Sequence, residues 1–202
     1  MHVYSIENKI VRHLQRSHTG AVFSPVQFLD LGSRNGVDVA LHRLVKTGRV
    51  RRIRQGLYDL PRAHPIMGQT APDAMAVVRA LMAGSNAQWQ PSGAYAANQL
   101  GLTEQVPAKT VILTDGVPRM VKLGKLMLAF RRASPRNLLG AGRPAGLAIQ
   151  ALRHLHTGGI TPDIIARLRR QLDVAAKKDL VALAPKTPAW MRPVIAQVTH
   201  AA

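Results

Sequence analysis

The stretch Phe23–Pro61, FSPVQFLDLGSRNGVDVALHRLVKTGRVRRIRQGLYDLP, constrains this chain more than any other. Ser24-Pro25 supplies a cap followed by proline at the first helical position, a start signal for a short helix with Val26, Phe28, Leu29 and Leu31 as its apolar residues. Gly32 stops it. Ser33 then caps a further helix, expected to run to about Thr47 with Gly48 as its C-terminal stop. Val50–Arg54 and Leu57–Leu60 read as two short strands around Gln55-Gly56. Helix, tight turn, helix and basic hairpin is the order of a winged helix-turn-helix, a device that lays one helix in the major groove of DNA.

Helical periodicity sorts the residues from Ser33 to Thr47 by face. Val37, Ala40, Leu41, Leu44 and Val45 gather on the side that must pack inward, while Asn35, Val39, His42, Arg43 and Lys46 fall opposite. Ser33, Arg34 and Asn35 occupy the start, where a recognition helix meets base edges. Arginine can pair with guanine, asparagine with adenine, and Val39 can meet a thymine methyl. In the hairpin, Arg49, Arg51, Arg52 and Arg54 are candidate phosphate contacts, which give affinity and salt dependence rather than sequence reading. In strict register Val50 and Ile53 would face opposite ways, so the alternation of the first strand is imperfect. A solvated polar face is the competing account of the helix; a hairpin whose charges nearly all share one sign argues against it.

The charge balance extends the argument beyond this stretch. Lys plus Arg number 28 against 10 Asp plus Glu, a formal net charge of +18. Self-repulsion of that size points to a polyanionic partner, with nucleic acid ahead of an anionic membrane surface. Met1–Arg62 holds 11 basic and 4 acidic residues, and the remainder 17 and 6, so the halves carry +7 and +11. No apolar run approaches the roughly 18 residues needed to span a bilayer. The start lacks a secretory pattern and the chain lacks cysteine, so a cytoplasmic protein without disulfides or thiolate metal sites is expected.

Before the organising stretch, Ser5 can cap a helix carrying Ile6, Ile10, Val11 and Leu14, and Ala21–Phe23 reads as a very short strand. Behind it, Pro61 to Pro72 is a proline-punctuated joint. The expected division is a winged helix-turn-helix at 1–61, a linker at 62–73 and a mixed α/β domain at 74–202, in all an α+β chain. Helices are expected over Ala74–Ala83, from Ser92-Gly93 to Leu100, and over Asn137–Leu139, Pro144–His156, Pro162–Leu172 and Val174–Leu183, with a short one after Pro188. Strands are expected at Lys109–Thr114, Met120–Leu123 and Lys125–Arg131. Arg119, Lys122, Lys125, Arg131, Arg132, Arg136 and Arg143 form a candidate second basic surface facing DNA or RNA, and Arg167, Arg169, Arg170, Lys177 and Lys178 decorate later helices. With aromatic residues at 4%, a base-stacking platform is not expected.

Catalytic constellations are missing from the pattern. There is no Gly-x-Ser-x-Gly elbow, no Walker loop and no His-Glu-x-x-His, and the carboxylates are too scattered for a paired metal site. His154-x-His156 lacks an i, i+4 partner and a third ligand, so structural histidines are expected there. No enzyme activity, metal or cofactor is expected.

Several motifs resemble one family. Phe23-Ser-Pro, Leu31-Gly-Ser-Arg34, Val37, Ala40-Leu41, Arg43-Leu44, Gly48-x-Val50-Arg51-Arg52-Ile53 and Gly56-Leu57-Tyr58 are similar to the N-terminal region of AbiEi-type antitoxins. So are Pro91-Ser-Gly-Ala-Tyr-Ala-Ala97, Leu100-Gly-Leu102-Thr, Val106-Pro-Ala-Lys109, Thr114-Asp-Gly116, Ala133-x-Pro135-Arg136-Asn137 and Gly142-Arg143. The resemblance spans roughly residues 5 to 155. It implies a bacterial type IV toxin–antitoxin or abortive-infection antitoxin that represses its own operon by binding inverted repeats of double-stranded DNA. It also implies a C-terminal domain that counters a nucleotidyltransferase-like toxin without a stable complex. A monomer in solution, with more than one copy on DNA, is expected. The competing expectations are a ligand-responsive regulator with a small-molecule pocket in its second domain, and an enzyme acting on nucleic acid.

Overall fold

The computed structural model of the chain describes residues 5–17, 20–61, 63–64, 68–105, 107 and 109–200. They form an α+β structure in two compact units, Met1–Asn86 and Ala87–Ala202.

In the first unit, helix α1 (Ile6–Gln15) is capped by Ser5, whose hydroxyl accepts from the Asn8 N–H at 3.2 Å. Its Ile10 and Leu14 are buried. Strand β1 (Val22–Phe23) leads into a 3-10 turn at Pro25–Phe28, where a short α-helix was expected. The segment before Gly32 does not form an α-helical ladder. Its bonds close after three residues instead, Leu29 N–H to Val26 O at 3.4 Å and Leu31 N–H to Phe28 O at 3.0 Å. Helix α2 (Arg34–Lys46) starts at Ser33, whose hydroxyl accepts from the Gly36 N–H at 3.2 Å. Gly48 turns the chain at φ +70°, and the N–H groups of Arg49 and Val50 both donate to Leu44 O, at 3.0 and 3.3 Å.

Strands β2 (Arg51–Arg54) and β3 (Leu57–Asp59) follow, and the antiparallel sheet has the order β1-β3-β2. The register resolves the imperfect alternation. Arg52 pairs with Tyr58 and Arg54 with Leu57, so the pairing shifts between Arg52 and Arg54 in a bulge that absorbs one residue of β2. Phe23 stacks on Tyr58 with centroids 6.1 Å apart and meets Phe28 edge-on at 5.5 Å. With Ile10, Leu14, Val37, Leu41, Leu44 and Val50 these rings make one core.

The expected linker is partly structured. Strands β4 (Ala63–His64) and β5 (Gly68–Gln69) form a small antiparallel ribbon, while positions 62 and 65–67 of that segment lie outside the described residues. Helix α3 (Ala74–Met82), capped by the Asp73 carboxylate, packs on β1 and so belongs to the first unit. The division therefore falls after Asn86, not ahead of Ala74 as the prolines implied.

The second unit opens with β6 (Trp89–Pro91) and α4 (Gly93–Gln99), then β7 (Thr110–Thr114), β8 (Arg119–Leu123) and β9 (Leu126–Arg132). Sheet order is β6-β7-β9-β8, with β7 and β9 parallel and the other pairs antiparallel. A 3-10 turn at Pro135–Leu138 precedes α5 (Pro144–Gly159), α6 (Pro162–Gln171), α7 (Val174–Leu183) and α8 (Met191–Thr199). Helix α5 breaks where the sequence places its end: His156 has φ 51°, and its ring lies 5.1 Å from that of Trp190. Helix α4 meets α5 at Gly93, where a Cβ would lie 2.5 Å from His154 Cβ and 2.6 Å from Gln150 O. Around that contact Ile149, Leu152, Leu168, Leu180 and Met191 fill the helical core.

Candidate functional site

The periodic sorting of α2 holds in three dimensions. Val37, Ala40, Leu41 and Leu44 are buried, while Arg34, Asn35, Val39, His42, Arg43 and Lys46 are exposed, Val39 by 43%. The face offers cations, an amide and an imidazole around one aliphatic side chain. Two residues at its start carry local duties. Ser33 spends its hydroxyl on the cap, and the Arg34 Nε donates to Asp38 Oδ2 at 2.9 Å across one helical turn. Both partners of that pair are about half exposed, so the pair contributes little to stability.

The hairpin arginines divide. Arg49, Arg52 and Arg54 are exposed. Arg51 points inward and lies opposite Asp59 in the register, and Asp59 is 1% exposed. The Arg51 Nε donates to Asp59 Oδ1 at 3.0 Å, and Nη2 donates to Oδ2 at 2.6 Å and to Thr70 O at 3.0 Å. The hydrogen bonding to Asp59 raises the Arg51 pKa above its ordinary value; burial opposes this and the charge of Asp59 adds to it. Arg51 thus ties β2 to β3 and to the backbone of Thr70, which corrects the expectation that it holds phosphate. Asp59, an acid directly across the hairpin, was the signal in the sequence.

The second candidate surface also divides. All seven residues are exposed, but on different faces. Directly paired residues share a face, so the register sets Arg119 and Arg132 on the side of Leu128 and Phe130, and Lys122 and Arg131 on the other. Arg119 lies over the Phe130 ring, 4.8 Å from its centroid. Arg143 pairs with Asp179 at 2.6 Å. The seven residues do not make one patch.

Arg153 was not anticipated. Its Nη1 donates to Asn137 Oδ1 at 2.7 Å and its Nη2 to Arg136 O at 3.0 Å. The amides of Gln90 and Gln150 both donate to Asn137 O, at 2.7 and 2.8 Å. Burial lowers the Arg153 pKa, and the charge of Arg136 lowers it further. Gln150 and Arg153 stand three apart on α5, a spacing that shows them on one face but not what they meet. Near α6, a cavity of about 280 Å³ is lined by Leu100, Gly101, Asp163, Arg167, Arg170 and Gln171, with Arg167 paired to Asp163 at 2.8 Å. Among the described residues no three His, Asp or Glu side chains are grouped to hold a metal ion, and no helix is long and apolar enough to cross a membrane.

Architecture and surface together define the class: an α+β protein in two units with a polar, cation-bearing helix face and a basic hairpin on the first. Residues 9–180 match DUF6088, a family of unknown function, and the chain belongs to that family. No curated protein matches it. Among solved structures it is similar to the RV2827C protein from Mycobacterium tuberculosis, at 18% identity and TM-score 0.42 over 96% of this chain and 77% of that one.

Proposed function

We propose that the protein is a DNA-binding antitoxin of the type IV class, with residues up to Pro61 acting as a winged helix-turn-helix. It represses its own operon at inverted repeats and counters a nucleotidyltransferase-like toxin without forming a stable complex. The observation that carries the DNA-binding part is the side of α2 opposite the core. Asn35, Val39, His42, Arg43 and Lys46 stand exposed there, and the turn and strand that follow expose Arg49, Arg52 and Arg54. Base-edge chemistry on a helix beside phosphate chemistry on a hairpin is the division of labour that groove reading requires. Arg34 contributes by exchanging Asp38 for a guanine edge. The protein does no chemistry of its own in this reading. The toxin half rests on the motif resemblance, which runs through Gly93 at the α4–α5 contact and Asn137 in the polar cluster.

Two measurements test the two halves. Purified protein is expected to shift its upstream DNA in a gel assay, with the arginine-to-alanine variants of Arg34 and Arg43 weakened. Co-expression is expected to restore growth when an adjacent nucleotidyltransferase gene is induced. Binding without rescue would leave a DNA-binding regulator and remove the antitoxin.

A further inference from the structure

The first unit holds a pocket beside the proposed DNA-contacting surface, sharing only Arg49 with it. It has a volume of about 140 Å³ and is lined by Val11, Leu14 and Gln15 of α1, Leu44 of α2, Arg49 and Val50 at the start of the hairpin, and Leu60. The floor is apolar: Leu44 is fully buried, Val50 is 3% exposed and Leu14 6%. Gln15 and Arg49, both exposed, are the pocket's two polar lining residues. No carboxylate lines it, and Arg49 makes no ion pair among the described residues.

We infer that this pocket binds a small carboxylic acid with a compact apolar body, anchored by Arg49. Size and charge both select that class. An apolar cavity of roughly 150 Å³ accepts a benzene-sized body, so a single ring or a short branched chain fits the floor. A guanidinium is matched by a planar carboxylate, which it holds through two parallel hydrogen bonds, and the Gln15 amide can donate a third. A cationic ligand would meet Arg49 with like charge, and a neutral one would forgo the charged bonds. The site also lies at the joint between α2 and β2. Leu44 and Val50, which form its floor, are joined by the hydrogen bond from the Val50 N–H to Leu44 O. A bound acid would therefore brace that joint while occupying the Arg49 head.

The inference does not rest on DNA binding, and its test contains no DNA. Benzoate is titrated into the full-length protein by calorimetry and by methyl NMR, with benzamide as the neutral isostere. Saturable binding of benzoate is expected, with shifts at the methyls of Val11, Leu14, Leu44, Val50 and Leu60. Benzamide is expected to bind at least about tenfold more weakly, a charged hydrogen bond being worth that or more. Arg49→Ala, a change at an exposed side chain, should lose benzoate binding by a similar factor, and Arg79→Ala, a remote exposed cation, should not. Val11→Phe, which fills the pocket, should abolish binding, with a thermal melt confirming the fold. Equal affinity for benzoate and benzamide, equal losses in the Arg49 and Arg79 variants, or unmoved pocket methyls would overturn the assignment.

Discussion

Arg51 and Asp59 show how one residue pair changes meaning between sequence and structure. In the string RRIR all three arginines look alike, yet only Arg51 sits directly across from a buried carboxylate and reaches Thr70 O as well. Removing one partner of a buried pair leaves the other uncompensated, at about 3–5 kcal/mol. Arg51→Ala is accordingly expected to lower the melting temperature by several degrees, while Arg52→Ala, at an exposed position, changes it by less than about one degree. Thermal unfolding of the two variants checks this. The raised Arg51 pKa means that the pair's stabilisation is complete below the ordinary arginine value and is lost only as pH rises through the higher folded one. No loss from this pair is expected on moving from neutral to mildly alkaline buffer. On the proposed reading, Arg34 is the opposite case. Its partner Asp38 is half exposed and its loss costs little stability, so Arg34→Ala should leave the melt unchanged. The same variant should weaken operator binding by about 1–3 kcal/mol and relax preference at one base pair, which binding to single-base operator variants measures.

At the scale of elements, α2 was almost wholly legible. Capping and a 3.6-residue period are local rules, and Ser33, the buried stripe and the exposed face all follow from them. The 3-10 turn at Pro25–Phe28 and strand β6 were not. The first closes its hydrogen bonds three residues apart where helical periodicity suggests four, and the second is a three-residue strand ending in Pro91 that exists through its pairing with β7. The hairpin's irregular pattern was visible, but only the pairing showed it to be a bulge that leaves Arg52 and Arg54 both exposed. If those two arginines hold phosphates, the double variant Arg52→Ala/Arg54→Ala should reduce the slope of log K against log salt by about 2, and weaken operator and random DNA alike. A titration at several salt concentrations reads the slope. The α4–α5 contact makes a prediction of a different kind. A side chain at position 93 runs into the Gln150 carbonyl, which is backbone and cannot swing away. Gly93→Ala should therefore destabilise the protein by about 1–3 kcal/mol, measured by denaturant unfolding, while leaving the α2 face unaltered.

For the molecule as a whole, charge and topology carry different information. The +18 balance is a property of the string, and it points to a polyanion without locating one. In the second unit the structure separates Arg119 and Arg132 from Lys122 and Arg131 across the sheet and neutralises Arg143 with Asp179. A cation count overstated that surface. The unit boundary moved for a similar reason: prolines mark where a chain turns, whereas α3 joins the first unit because it packs on β1. The sequence by itself determined the α-helices α1 to α8, the α+β class, the polarity of the α2 face and the excess of positive charge. Each of these depends on neighbours a few residues apart or on composition alone. Only the tertiary structure decided that Arg51 also reaches Thr70 O, that Gln90, Gln150 and Arg153 converge on Asn137, and that Val11, Leu44 and Arg49 surround one pocket. Those facts depend on residues distant in the chain becoming neighbours, and no local period encodes which ones meet.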